Sequence, residues 1–389
     1  MQTQVIPYLR ELVKGGHEME LLTFEPEEPS GCESEVREGL RANGIVWHHL
    51  RYHKRPSVPA TMFDIANGAR YIRKLARERS FDILHCRSHV PTMMAAIARK
   101  GMSASPKLLF DIRGFFPEEY VDAGVWPEGG SIYRGVKRAE AWLMKEADGF
   151  VVLTEKAREI LAESIEQRPV EVIPCCVDLE RLAAANVESR AEFRNRLGIG
   201  DRFTVVYVGA LGGWYLTEET AKFFGALKNL DQNTFALILT QSDPEELVPL
   251  LEREGFNKSD SFVGMVGSAD IPRYLSAADA AVSFIKPCYS KQASSPTKNA
   301  EYLAAGLPIV INDGIGDSTR LTVVDGVGVV LNGLSLSDLS AAANEIREMA
   351  LTDPTGTAER CRESARNRFG LGNVGGEHYR RLYDKLSKG

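Results

Sequence analysis

Short apolar runs recur along the chain, separated by longer stretches whose hydrophobic positions fall three and four residues apart. The runs predict strands at 19–23, 45–50, 83–85, 108–111, 150–153 and 170–173, and again at 204–208, 235–239, 262–266, 280–284, 309–312 and 327–331. The helical spacing predicts amphipathic helices such as 63–79, 133–147, 217–230 and 336–349. Strand and helix in alternation means parallel sheets covered on both faces, so the fold class is α/β with two doubly wound domains. Residues 178–196 are charged and Ala-rich with no strand pattern, which puts the join between Cys176 and Gly200. One departure stands at the start. Val5, Ile6, Leu9, Leu12 and Val13 predict a helix that turns through Gly15-Gly16-His17 into a strand. The strand and Gly-rich loop that ordinarily precede such a helix are absent from the pattern, so the expectation is either a sequence that begins late or a sheet edge filled another way.

Bulk composition narrows the classes. At 389 residues the chain exceeds the size of one hydrophobic core, in keeping with two domains. Hydrophobic content of 44% and charged content of 26% are those of an ordinary globular enzyme. Basic and acidic side chains balance through residue 168, so the net charge of −6 arises in the second half and nucleic acid is not the expected partner. Cys32, Cys86, Cys175, Cys176, Cys288 and Cys361 show neither zinc-ligand spacing nor a disulfide framework, and a reducing cytoplasm fits them. No apolar stretch approaches the ~20 residues of a membrane span, and no signal-peptide pattern opens the chain. Basic clusters at 51–55 and 70–79 are candidates for peripheral contact with an anionic membrane.

The richest chemistry lies at 294–312, read as a helix between two buried strands. Ser295 suits an N-cap, Pro296 the first helical position, and Gly306 the helix end. Free N–H groups and the positive dipole end would sit beside Lys298, with Glu301 one turn on. That spacing suits a nucleotide, phosphate on Lys298 and the N–H groups near Ser295 and Thr297, ribose hydroxyls on Glu301. The plain alternative is an exposed Lys298–Glu301 ion pair. Gly209, Gly212 and Gly213 form a small-residue loop after a buried strand, where a ligand can approach the backbone. A helix end contributes only ~0.3–1 kcal/mol per anion, whereas micromolar binding takes roughly 8 kcal/mol. Side-chain cations are therefore needed, and Lys286 and Lys291 join Lys298 as the nearest supply in sequence. In the first half, His85-Cys86-Arg87-Ser88-His89 and Asp111-Ile112-Arg113 follow successive strands, where side chains face the crevice of an open sheet. His89 alone reads as structural, and it is the two clusters on neighbouring strands that make this a candidate catalytic site. The literal G-x-G-x-x-G at 370–375 follows a charged helix, not a strand, so Gly370 reads as a helix cap rather than a dinucleotide fingerprint.

With these residues in place, the chain resembles the retaining glycosyltransferases of GT-B architecture known as family 4, over nearly its whole length. Gln4-Val5-Ile6-Pro7-Tyr8-Leu9-Arg10-Glu11-Leu12 with Gly16-His17-Glu18 is similar to the family's first helix and second strand. Val172-Ile173-Pro174-Cys175-Cys176-Val177-Asp178 is similar to its interdomain segment, and Ser295-Pro296-Thr297-Lys298 through Glu301 to Gly306-Leu307-Pro308 to its nucleotide-binding segment. The resemblance implies two Rossmann-like domains facing across a cleft: an acceptor-side domain at 1–178, joined by a last helix within 376–389, and a donor-binding domain at 179–375. It implies transfer of a sugar from a nucleotide diphosphate sugar to a hydroxyl of a saccharide or lipid-linked acceptor, as in cell-surface polysaccharide or glycolipid synthesis. Glu301 would hold the ribose, Lys298 and the N–H groups near 295–297 the diphosphate, the 209–213 loop would border the phosphates, and His89, Asp111 and Arg113 would face the sugar or acceptor. Three departures are visible: Ala293 stands where the family has the first of two glutamates, its Arg/Lys pair after the Gly209 strand is missing, and so is its first strand. No D-x-D pair occurs, so neither a metal nor a further cofactor is expected. An epimerase of nucleotide sugars and an inactive binding protein on the same frame are the alternative readings.

Overall fold

A computed structural model describes residues 4–25, 33–102 and 105–388, so Cys32 lies outside the described residues. The chain folds as two compact units, Met1–Pro174 with Leu371–Gly389, and Cys175–Gly370. The join therefore falls just ahead of the expected interval. The reason is local: the Val177 N–H donates to Phe369 O at 2.8 Å and the Cys175 N–H to Ser295 Oγ at 3.1 Å, which fastens 175–178 to the second unit.

In the first unit, β1 (Met19–Glu25) pairs with β2 (Ile45–Arg51), and β3 (Ile83–Arg87), β4 (Lys107–Asp111), β5 (Gly149–Val152) and β6 (Val170–Val172) pair in that order, all parallel. Among the described residues, the single doubly wound sheet expected for this half is thus split between β1 and β3. Burial follows the split. Every residue of β5 is buried and most of β4, while β1 is only half-buried throughout. The helix Ile6–Lys14 forms as its spacing predicts and buries Ile6, Tyr8, Leu9 and Leu12.

The helix Glu377–Lys388 also belongs to this unit. Its buried Tyr379, Leu382, Tyr383 and Leu386 recur at the spacing of one helix face. Tyr379 OH donates to Asp111 Oδ2 at 3.0 Å, and Lys385 Nζ pairs with Glu171 Oε1 at 2.9 Å. Ahead of it, the glycines of 370–375 do not follow a strand: they come after the helix Pro354–Phe369 and close into the wide helical turn Leu371–Gly376.

The second unit has one parallel sheet of β7 (Thr204–Val208), β8 (Phe235–Leu239), β9 (Ser261–Gly264), β10 (Ala280–Ser283), β11 (Ile309–Asn312) and β12 (Gly328–Leu331). Its order is β12-β11-β10-β7-β8-β9, so the winding reverses between β7 and β10. Alternation sorts the side chains onto two cores. Val205, Tyr207, Ile238, Val282 and Val310 pack beneath the helices Thr217–Leu230 and Leu336–Thr352. Val206, Leu237, Ala281 and Ile311 face Thr297–Ala304 and Pro354–Phe369. Every strand the pattern predicts is present, with ends shifted by up to two residues.

Candidate active site

In an open parallel sheet, ligands gather outside the carboxyl ends of the strands at the point where the winding reverses. Here that point is flanked by the segments leaving β7 and β10. After β7 the chain turns sharply at Gly209 (φ +144°), then at Gly212 and Gly213, both left-handed. Thr217 Oγ1 accepts from the Gly212 N–H at 2.8 Å and Ser242 Oγ from the Leu211 N–H at 2.9 Å, which fixes the turn. An antiparallel bridge between Tyr215 and Ile285, with the Lys286 N–H on Trp214 O at 2.8 Å, ties this loop to the one after β10. Asn312 then clamps Ile285 through both of its backbone polar groups, at 2.8 and 2.9 Å.

Lys298 reaches into this corner from the first turn of the Thr297–Ala304 helix. A Cβ added to Gly209 would stand 2.7 Å from its Nζ, so the glycine is what admits the ammonium. The ammonium lies 4.3 Å over the Tyr207 ring and 4.0 Å over Tyr215. It is sealed from solvent and has no hydrogen-bond partner. Burial alone pushes its pKa down to about 7. A buried cation held only by ring faces is an incomplete arrangement, and an anion completes it. Changing Gly209 to Ala should displace Lys298 and strain a backbone that favours glycine. Loss of nucleotide-induced thermal stabilisation in that variant, with the far-ultraviolet spectrum retained, is the expected outcome.

The helix start departs from the expected capping. Pro296, not Ser295, takes the capping position, and no side chain caps the helix, because Ser295 Oγ serves the Cys175 N–H instead. The N–H groups of the first turn, at Thr297 and Lys298, are left available to a ligand. Glu301 is not paired with Lys298 either. Its carboxylate binds Arg181, whose other nitrogen donates to Ser268 O at 3.1 Å. Burial raises the Glu301 carboxyl, and Arg181 only partly opposes it. The simple Lys298–Glu301 ion pair is therefore excluded by geometry. Lys286 is exposed, whereas Lys291 is buried with its ammonium 3.9 Å over Trp214. Ala293 is buried in the Tyr289–Ala293 turn and contributes no polar side-chain atom.

The first-unit candidates diverge from one another. Ser88, a non-glycine at φ +76°, makes the turn out of β3 and places His89 at the head of the helix His89–Arg99. His89 is buried between Phe110 and Phe116, with Nε2 2.9 Å from Glu140 Oε1. Burial would raise the Glu140 carboxyl, but hydrogen bonds from His89 and Lys137 hold it below its ordinary value. With Glu140 ionised, Nε2 carries a proton; in the neutral imidazole Nδ1 is then the acceptor, and that atom is buried without a partner. Asp111 is committed elsewhere. It is 1% exposed, Tyr379 donates to it, Arg113 Nη1 lies at 3.5 Å, His85 Nε2 at 3.5 Å and Arg87 Nη1 at 3.8 Å. Burial is outweighed by Arg113, His85 and Arg87, so the carboxyl is held well below the usual range. That makes it an anchor rather than a base poised near neutrality, and Arg113 is part of the same anchor.

Sequence reasoning passed over Arg181, Tyr207, Tyr215, Glu140 and Tyr379. Tyr207 carried a weak signal, as a polar-tipped aromatic closing a buried strand; Arg181 carried none, because its partner is distant in sequence.

Comparison with known proteins accords with this geometry. Residues 1–181 match the model of Glycosyltransferase Family 4 and residues 189–368 that of Glycosyl transferases group 1. A curated relative, 2-deoxystreptamine glucosyltransferase of Streptomyces kanamyceticus, is 24% identical over 270 residues, covering 64% of this chain. The chain spans 65% of that relative's length. Among solved structures, a glycosyltransferase from Rickettsia africae ESF-5 superposes with a TM-score of 0.72 at 16% identity, covering 98% of this chain and 94% of the other. HepE from Anabaena, solved with UDP and glucose, gives 0.68 at 16% identity, covering 94% and 99%. With two Rossmann-like units, a reversal point bearing a buried lysine, and both halves matched by their respective models, the chain belongs to the GT-B glycosyltransferases of family 4.

Proposed function

We propose that the chain transfers a sugar from a nucleoside diphosphate sugar to an acceptor hydroxyl, with retention of configuration and without a metal. The observation that carries this reading is the unpartnered Lys298 ammonium beside an uncapped helix start, at the reversal point of the second unit's sheet. Breaking the glycosidic bond leaves negative charge on the diphosphate. Lys298 and the first-turn N–H groups neutralise it, with Lys291 and Lys286 as further cations on the adjoining loop. The 209–213 loop brings backbone close to the phosphates. Glu301 accepts the ribose hydroxyls, releasing Arg181. On the acceptor side, Glu140 orients His89 so that Nδ1 is the atom able to accept a hydrogen bond from a hydroxyl; in a front-face transfer the departing phosphate takes the acceptor proton. The setting proposed is the cytoplasm, with a saccharide or lipid-linked acceptor. The transferases that the chain resembles, together with the solved HepE complex holding UDP and glucose, support transfer over epimerisation.

Incubation with UDP- and GDP-sugars tests it. Released nucleoside diphosphate with a glycosylated acceptor of the donor's anomeric configuration is expected; an isomerised sugar nucleotide without acceptor, or binding without release, contradicts it. A pH dependence follows from Lys298. Because the unbound ammonium titrates near pH 7, a diphosphate that needs it charged draws a proton in above that pH. Nucleoside diphosphate affinity should then fall toward tenfold per pH unit above about 7, and calorimetry at pH 8 in two buffers of different ionisation enthalpy should show proton uptake. Buffer-independent heats would contradict the assignment.

A further inference from the structure

The longest helix of the first unit, Ser57–Glu78, carries a surface that the transfer reaction does not use. Its first turns expose large apolar groups to an unusual degree: Met62 is 65% exposed, Val58 54% and Phe63 53%, and Tyr52 on the preceding loop 49%. Loop and helix are locked together. Asp64, 3% exposed, accepts from the His53 N–H at 3.0 Å and pairs with His53 Nδ1 at 2.6 Å, and the His53 ring packs edge-on against Phe63 at 5.0 Å. The apolar patch is thus presented on a fixed platform.

Among the described residues, the exposed charges that this loop and helix carry from residue 54 to residue 77 are basic. Lys54 and Arg55 on the loop, and Arg70, Lys74 and Arg77 on the helix, are exposed, with no carboxylate partner among the described residues. Met62, Phe63, Arg70, Lys74 and Arg77 occupy one sector of the helix, opposite Asp64, Gly68 and Leu75, which are buried. From residue 51 to residue 77 the only carboxylate is Asp64, and it is consumed by His53. Glu78 closes the helix at its far end. In a chain of net charge −6, this is a cationic strip ending in an apolar tip.

The geometry points to an anionic lipid bilayer as the partner of this face, with the helix lying in the interface plane, Val58, Met62 and Phe63 entering the acyl boundary, and the cations on the headgroups. No helix among the described residues is long and apolar enough to cross a membrane, so the attachment is peripheral. A soluble polyanion would match the cations but give the exposed methionine and phenylalanine no apolar phase to enter. The inference is independent of the donor reading, since it rests on the other unit.

Co-sedimentation of the full chain with vesicles tests it. Binding is expected to phosphatidylcholine vesicles containing phosphatidylglycerol, weakening in high salt, and little to phosphatidylcholine alone. Neutralising Arg70 and Lys74 together (R70Q/K74Q) should lower the partition coefficient by roughly 25-fold, about fivefold for each cation. Met62→Ser with Phe63→Ser should lower it at least about tenfold while the charge is unchanged. Nucleotide binding by both variants should match the unmodified chain, which separates loss of docking from loss of fold. A chain that stays in solution with the anionic vesicles, equal binding to both vesicle types, variants that bind as well as the original, or capture by heparin without vesicle binding would each overturn the inference.

Discussion

Replacing Lys298 with methionine should lower kcat/KM for sugar transfer by about 10²–10³, the usual effect of deleting one group aimed at charge that develops in a transition state. The same change should leave the fold at least as stable. Lys298 contributes no hydrogen bond to the protein, and burial depresses its pKa to about 7 from the ordinary lysine value of 10.5. Between those values the unfolded chain keeps a proton that the folded chain has lost, so stability rises with pH across that window. Below pH 7 the fold carries the whole burden of a sealed ammonium. Lys298→Met removes both the burden and the slope, so the unliganded variant should unfold at a higher temperature near pH 6 and show a flatter pH profile from 7 to 10. A variant that is inactive and also destabilised would mean that the lysine holds the fold rather than the donor.

The second large effect concerns Asp111. Changing it to alanine should cost the first unit about 3–5 kcal/mol, since Arg113 and Arg87 would be left without their buried counter-ion and Tyr379 without its acceptor. The acid limb of stability shifts as well. A carboxyl held low in the folded state contributes stability above its ordinary range, near pH 4, and loses it as pH falls further. Asp111→Asn should abolish that acid dependence while partly keeping the contact to Tyr379. Denaturant unfolding at pH 3.5 and pH 7 checks both, with the helix Glu377–Lys388 as the element expected to detach first. Equal midpoints for the variant and the original chain at pH 7 would show that Asp111 is not the anchor.

Backbone organisation was legible because it follows from local pattern. Buried strands such as β7 and β11 read as unbroken apolar runs, and Gly306, at φ +86°, ends its helix where a left-handed residue must stand. Sheet order is not local, so the reversal between β7 and β10, which makes the Gly209 turn a ligand corner, emerged only in three dimensions. Side-chain pairing was the least legible layer. Spacing placed Glu301 beside Lys298 on the helix, yet Arg181, 120 residues away in the chain, takes the carboxylate, while Lys298 turns to Tyr207 and Tyr215. Asp111 is a candidate in the sequence because it ends a parallel strand. The terminal helix, whose Tyr379 covers it, lies 268 residues further on and gave no local sign of the contact.

The most direct test is a crystal structure of the chain with UDP or GDP. A terminal phosphate oxygen within about 3 Å of Lys298 Nζ is expected, with the ribose hydroxyls on Glu301 and Arg181 moved off that carboxylate. A nucleotide bound elsewhere, with the Arg181–Glu301 pair intact and Lys298 still bare, would contradict the account.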